Sequence, residues 1–157
     1  GGADIDGVEL TMTLNPTKNL QFMSSVSYND ARLSSLLPDS FAAGGGYAKG
    51  TTLPGASDWT LSNSVSLHFD DAPMKPRFSL AHRYLSNAPV AFDSTLEKGD
   101  YHIVDLTAFM NLTDNIELGV YAKNIFDQYG ILSAPFSFAG AVVRPRTIGG
   151  TVRFSMQ

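Results

Sequence analysis

Apolar residues alternate with small or polar ones along seven stretches of the chain, and the connections between these stretches are short and long in turn. The first sets Val8, Leu10, Met12 and Leu14 against Gly7, Glu9, Thr11 and Thr13, and the second sets Leu20, Phe22, Val26 and Tyr28 against Gln21, Ser25, Ser27 and Asn29. Successive side chains on a strand point to opposite sides, so each stretch predicts a strand with one apolar face. The third is the most regular, with Trp59, Leu61, Val65, Leu67 and Phe69 opposite Thr60, Ser62, Ser64, Ser66 and His68, and only Asn63 interrupts its apolar side. The fourth offers Phe78, Leu80 and Tyr84 opposite Arg77, Ser79, Ala81 and Arg83, with His82 out of place among the apolar positions. The fifth places Val104, Leu106, Ala108, Met110 and Leu112 against Asp105, Thr107 and Asn111, with Phe109 on the polar side. Ile116, Leu118, Val120 and Ala122 oppose Glu117, Gly119, Tyr121 and Lys123 in the sixth, and Ile148, Val152 and Phe154 oppose Thr147, Thr151 and Arg153 in the seventh. No helical period competes with this alternation.

The connections give the strands a direction. Asn15–Asn19, Asp70–Pro76 and Thr113–Asn115 are tight turns, whereas Ala31–Asp58, Ser86–Asp100 and Asp127–Pro145 are long loops. Up-and-down barrels of the bacterial outer membrane have short periplasmic turns and longer extracellular loops. The expected fold is therefore all-β: an antiparallel up-and-down meander of about seven long strands, four running inward and three outward.

A soluble β-sandwich binding module also alternates, because one face of each sheet packs on the other. Strand length favours lipid: a tilted membrane strand needs about 9–11 residues, against about 5–6 for the usual globular strand. Aromatic position agrees. Tyr28, Trp59, Tyr84, Tyr101 and Phe126 fall at stretch ends bordering long loops, and Phe22, Phe69, Phe78 and Phe154 near the short turns, as two interfacial girdles require. The opposite face, with Ser, Thr and Gly around Glu9, Arg83, Asp105 and Lys123, suits a watery lumen.

At 157 residues the chain has the length of one domain, and 43% hydrophobic with 17% charged residues excludes both disorder and a helical membrane protein. No stretch approaches the roughly 18 apolar residues of a spanning helix. The net charge of −4 supplies no basic field for nucleic acid, and with no cysteine neither disulfides nor thiolate metal sites can form. The chain opens Gly1, Gly2, Ala3, Asp4 without a signal peptide or initiator Met, which leads us to expect a piece of something longer. An odd strand count points the same way, since single-chain bacterial barrels have even numbers from eight upward. The competing expectation is a small complete outer-membrane barrel, porin-like or adhesin-like.

In the C-terminal third, Asn124, Ile125, Phe126, Asp127, Gln128 and Tyr129 resemble the Asn-Leu-Phe-Asp-x-x-Tyr segment that closes the penultimate strand of TonB-dependent outer-membrane receptors. Pro145, Arg146, Thr147, Ile148 and Gly149, running on to Phe154, resemble the final strand of that family. Upstream, Gly7 to Leu10, the Asn15-Pro16-Thr17 turn and Leu20 to Asp30 are similar to the family's Gly-x-Glu strand, turn and Ser-Tyr-x-Asp strand, and Leu53, Pro54, Gly55 and Trp59 to its Leu-Pro-Gly-x-x-x-x-Trp segment. The resemblance implies that residues 1–157 form the C-terminal segment of a 22-stranded transmembrane β-barrel in the bacterial outer membrane. It implies energised uptake of a scarce nutrient such as an iron-siderophore complex. The plug domain and TonB box lie outside this chain. The implied partners are outer-membrane lipid, the rest of the barrel and the plug, the TonB complex through the missing N-terminal part, and the barrel-assembly machinery. That machinery commonly reads a terminal aromatic, whereas here Ser155, Met156 and Gln157 follow Phe154.

Other chemistry is sparse. Gly44, Gly45, Gly46, Tyr47, Ala48, Lys49, Gly50 and Thr51 lack the Gly-Lys-Ser/Thr order of a phosphate loop and read as a flexible loop. His68, His82 and His102 lie on three different stretches without metal-ligand spacing, and no cofactor is expected. Asn111-Leu112-Thr113 spells a glycosylation acceptor, but at a periplasmic turn it is only a turn. His102 near Asp100 is the sole candidate base with an acidic neighbour, too little for a nucleophile and its base, so an enzyme is not expected. For ligand binding the candidates are the loop residues Tyr47, Lys49, Phe92, Asp93, Phe136, Phe138 and Arg144, whose aromatic and charged tips suit a bulky anionic metal complex.

Overall fold

The structure is a computed structural model, and it describes residues 1–40, 42, 44–136 and 139–156. Seven long strands form one antiparallel sheet: β1 (Ala3–Thr17), β2 (Leu20–Leu33), β5 (Trp59–His68), β6 (Arg77–Leu85), β9 (Tyr101–Thr113), β10 (Ile116–Lys123) and β13 (Thr147–Phe154), neighbouring one another in that order. Three small hairpins lie in the long connections: β3 (Leu37–Pro38) with β4 (Gly46–Tyr47), β7 (Ala88–Pro89) with β8 (Glu97–Lys98), and β11 (Ile131–Phe136) with β12 (Ala139–Val142). No second sheet packs face to face on the first among the described residues, which rules out the sandwich. β1 and β13 each have a single neighbour and do not pair with each other, so the sheet is open at both edges.

The register aligns the apolar stripes. Leu10, Val26 and Leu61 follow one another across β1, β2 and β5, and Tyr84 continues the row on β6. The stripe is exposed, with Val8 at 70%, Val120 at 61% and Ile148 at 74%. In water such a continuous apolar surface is untenable, and in hydrocarbon it costs nothing. Lipid takes the place of a core on this side, so the few buried apolar residues, Ala31, Leu33, Ala88, Tyr101 and Ile103, lie instead under the loops.

β1 and β2 are longer than the alternation suggests, at 15 and 14 residues. Their excess stands on the loop side, where Asp6 pairs with Asp30 and Asp4 with Arg32, charges that lie beyond the hydrocarbon. β2 continues three residues past Asp30 because the following loop folds back on it: Leu53 N–H donates to the Ala31 carbonyl at 2.9 Å, and Leu33 N–H to that of Thr51 at 2.9 Å. That return pairing is tertiary, so alternation could not locate it. On the opposite rim β1 and β2 turn through Lys18 and Asn19, while the β5–β6 turn carries Met74 and Lys75 in the left-handed region at φ 62° and 42°.

The lumen face explains the misplaced Phe109. Its ring lies over Gly119 on the neighbouring strand and fills the space a β-carbon would need. Tyr121 covers Gly149 in the same way between β10 and β13. These aromatic rings therefore belong to the inner wall. Beside them Glu117 receives both Arg77 of β6 and Arg153 of β13, the latter at 2.9 Å. Tyr101 also departs from its expected place in the outer girdle: it shares the parity of Ile103 and Asp105, points inward, and is 9% exposed.

Candidate functional site

The extracellular ends of β5, β6, β9 and β10 and the returning chain after β12 enclose a recess of about 540 Å³ on the lumen side. Its charged lining is Arg83, Asp105, Lys123 and Arg144. Arg83 donates to the Asp105 carboxylate at 3.0 Å, so Lys123 and Arg144 leave the recess with an excess of positive charge. Tyr101, Ile103 and Leu132 supply apolar walls. A cavity of this size, mostly apolar with a few convergent charges, is suited to a bulky anionic guest.

Asn124 holds the base of the last long loop. It sits in the left-handed region at φ 49°, where asparagine is better tolerated than most residues, and is 3% exposed. Its side-chain amide donates to the carbonyls of Gln128 at 2.9 Å and Arg144 at 3.0 Å, and its Oδ1 accepts the Gln128 N–H at 2.9 Å. Its own N–H donates to the Asp105 carboxylate at 2.8 Å. Asp127, also left-handed at φ 52°, accepts the Arg146 N–H at 2.7 Å. The loop's two ends are thus tied together, and through Asp105 they are tied to Arg83. Of the rest of this segment, Ile125 is held by its N–H on the Val104 carbonyl at 2.9 Å, while Phe126 and Tyr129 are exposed. Just before the last strand the Pro145 carbonyl accepts the Thr147 hydroxyl at 3.1 Å, and within the strand Gly149 lies under Tyr121 while Ile148 and Phe154 stand on the apolar face.

The loop candidates separate. Tyr47 and Phe92, from different loops, stack at 4.4 Å between centroids and 20° between planes, which joins the first long loop to the second. Gly55 N–H on the Pro89 carbonyl at 2.7 Å repeats that link, and Gly99 N–H on the Ile131 carbonyl at 3.0 Å ties the second loop to the third. Lys49 is exposed at a turn near this cluster, and Arg144 lines the recess. Phe136 is placed only as the last residue of β11, and Phe138 lies outside the described residues. Arg83, Asp105 and Lys123 were legible in the sequence as inner-face charges, but alternation could not show that they converge.

Partial burial raises the Tyr47 phenol above its ordinary value, and the neighbouring Asp93 and Asp39 carboxylates add to the rise, by their negative charge and as acceptors within reach of its single O–H. A folded state that holds a proton more tightly than the unfolded chain is favoured below the ordinary value of about 10, and that preference is lost as pH climbs through the raised one. The tie between the first two loops is therefore expected to hold through neutral pH and release only in strong alkali. Absorbance titration should show a phenol ionising above the ordinary range that disappears in Tyr47→Phe. Loss of an ordinary phenol instead means that the tie is absent.

The histidines are not as dispersed as the sequence suggests. His82 and His102 meet across β6 and β9 at 3.0 Å, while His68 is remote from both. Among the described residues no three His, Cys, Asp or Glu side chains converge as a metal set.

A protein-family profile described as TonB dependent receptor-like, beta-barrel, matches residues 1–125. Among solved structures, the siderophore receptor PiuA from Acinetobacter baumannii is similar with a TM-score of 0.78 at 17% identity, over 97% of this chain and 22% of that one. The ferric yersiniabactin uptake receptor FyuA from Yersinia pestis is similar with a TM-score of 0.77 at 20% identity, over 97% of this chain and 23% of that one. The chain thus spans less than a quarter of the length of either receptor. Comparison with curated proteins gives no match.

Proposed function

Because the chain belongs to the TonB-dependent receptor β-barrel family of the outer membrane, we propose that residues 1–157 are the C-terminal barrel segment of a receptor for energised uptake of a scarce nutrient such as an iron-siderophore complex. The plug and TonB box belong to other parts of the whole protein, and the inner-membrane TonB complex supplies the energy. The barrel-assembly machinery inserts the strands beside the outer-membrane lipid. The observation that carries the substrate class is the recess at the extracellular mouth, where Lys123 and Arg144 are cationic in excess of the Arg83–Asp105 pair. Ferric complexes of acidic chelators are bulky anions, and convergent cationic side chains beside apolar walls attract and seat such a guest.

The test uses the whole reading frame that contains this chain, expressed in cells stripped of other ferric-siderophore receptors. Outer membranes from these cells should bind a ferric siderophore, and uptake should stop when TonB is inactivated. Lys123→Ala should weaken binding of an anionic complex by about tenfold, the effect of roughly 1.4 kcal/mol. Binding no greater than that of membranes lacking the protein, across a panel of anionic ferric complexes, overturns the reading.

A further inference from the structure

Four polar side chains form a continuous hydrogen-bonded chain on the outward, lipid-facing side of β2, β5, β6 and β9. The Ser24 hydroxyl donates to Asn63 Oδ1 at 2.7 Å, Asn63 Nδ2 meets His82 Nδ1 at 3.1 Å, and His82 Nε2 meets His102 Nδ1 at 3.0 Å. The two imidazoles are 12° from parallel with centroids 5.3 Å apart, the spacing of rings joined edge to edge by one N–H···N bond. Direction along the chain follows from the first link. Asn63 Oδ1 is taken by Ser24, so its NH2 faces His82, whose Nδ1 accepts. The His82 proton then sits on Nε2 and is donated to His102 Nδ1, which leaves the His102 proton on its own Nε2. That last N–H has no partner among the described residues.

The place where the chain ends narrows its use. Asn63 and His82 lie in mid-strand, where polar groups facing hydrocarbon are costly and mark function. His102 is the second residue of β9 at the extracellular end and stacks on Tyr84 at 4.4 Å; the Tyr28–Trp59 pair, at 4.9 Å, borders the same face. The terminal donor therefore stands at headgroup height. On the same face a furrow of about 350 Å³ is lined by Val8, Leu10, Val26, Tyr28 and Trp59, and its apolar walls suit an acyl chain. The furrow's walls on β5, β2 and β1 stand two to four strands from the donor on β9, roughly 10–19 Å at about 4.8 Å per strand. That span suits a headgroup carrying several acyl chains.

We propose that this face binds an outer-leaflet glycolipid, with a headgroup phosphate accepting from His102 Nε2–H and an acyl chain in the furrow beneath Trp59. Asn63 and His82 act as positioning residues: they fix the tautomer that His102 presents, and a phosphate is the strong acceptor it lacks. The inference rests on the outer-membrane barrel reading but not on the nutrient proposed above.

The full receptor, extracted in mild detergent, should retain lipid A through exchange into nanodiscs, counted by native mass spectrometry. His102→Phe keeps the ring on Tyr84 but removes the donor, and should retain lipid A about tenfold less well, while His102→Gln, which keeps an N–H, should retain it. Ferric-siderophore binding at the mouth should be unchanged in both. If His102→Phe does not give the compact, heat-modifiable band of a folded barrel, His102→Met compared with His102→Gln makes the same distinction. Equal retention by wild type and the donorless variant overturns the proposal. So does equal retention of phosphatidylglycerol and lipid A, or a change from dimer to monomer with lipid unaffected, which would make the face a contact with a second copy.

Discussion

Made alone and refolded into detergent, the 157-residue polypeptide should give no heat-resistant monomeric barrel. β1 presents an edge of 15 residues and β13 one of 8, and neither pairs with the other. About half the backbone groups of an antiparallel edge point away from the neighbouring strand, so on the order of twenty N–H and C=O groups would face hydrocarbon. At several kcal/mol each they outweigh the roughly 5–15 kcal/mol by which a domain is usually stable. Semi-native electrophoresis checks this. The expected result is aggregate or unfolded chain. A compact monomer band that shifts on boiling would show that the strands close on themselves and would favour a small complete barrel.

Asn124→Ala should cost the whole receptor about 3 kcal/mol, the second largest effect anticipated. The substitution strips one acceptor and two donor bonds from a buried position, orphaning the Gln128 N–H and the carbonyls of Gln128 and Arg144. It also leaves a residue with a β-carbon and no local hydrogen bond in the left-handed region. Asn124→Asp keeps the acceptor for the Gln128 N–H but turns a carboxylate oxygen toward the carbonyls of Gln128 and Arg144 at a buried position, so a loss at least as large as that of alanine is expected. Denaturant unfolding of the receptor in micelles provides the measurement, and the alanine variant should also loosen the Arg83–Asp105 side of the recess, weakening ligand binding at the mouth. A midpoint unchanged by alanine would mean that the loop base does not depend on this residue.

Three residues that break the alternation are the instructive ones. Asn63 and His82 broke the apolar face of their strands, and Phe109 broke a polar one. Phe109 is explained by Gly119 and by the register of β9 with β10. Asn63 and His82 are cross-strand neighbours in a hydrogen-bonded chain whose ends, Ser24 and His102, gave no sign of belonging to it. Each was visible as a misfit and none could be read as a partner, because pairing between strands is absent from any one strand's pattern. Tyr101 fails for another reason: its place at a strand end suited a girdle, but parity turns it into the lumen above Gly130.

What the sequence determined by itself was the set of long strands, their apolar faces, the alternation of tight turns and long loops, and the family. All of these follow from a period-2 pattern and short local motifs, which are written along the chain. Only the tertiary structure decided that the loops carry hairpins tied to one another, that Lys123 and Arg144 share a recess with the Arg83–Asp105 pair, and that four polar side chains line up on the lipid side. Those arrangements depend on register and on loop return. Both are set by contacts between residues tens of positions apart, where the local pattern carries no information.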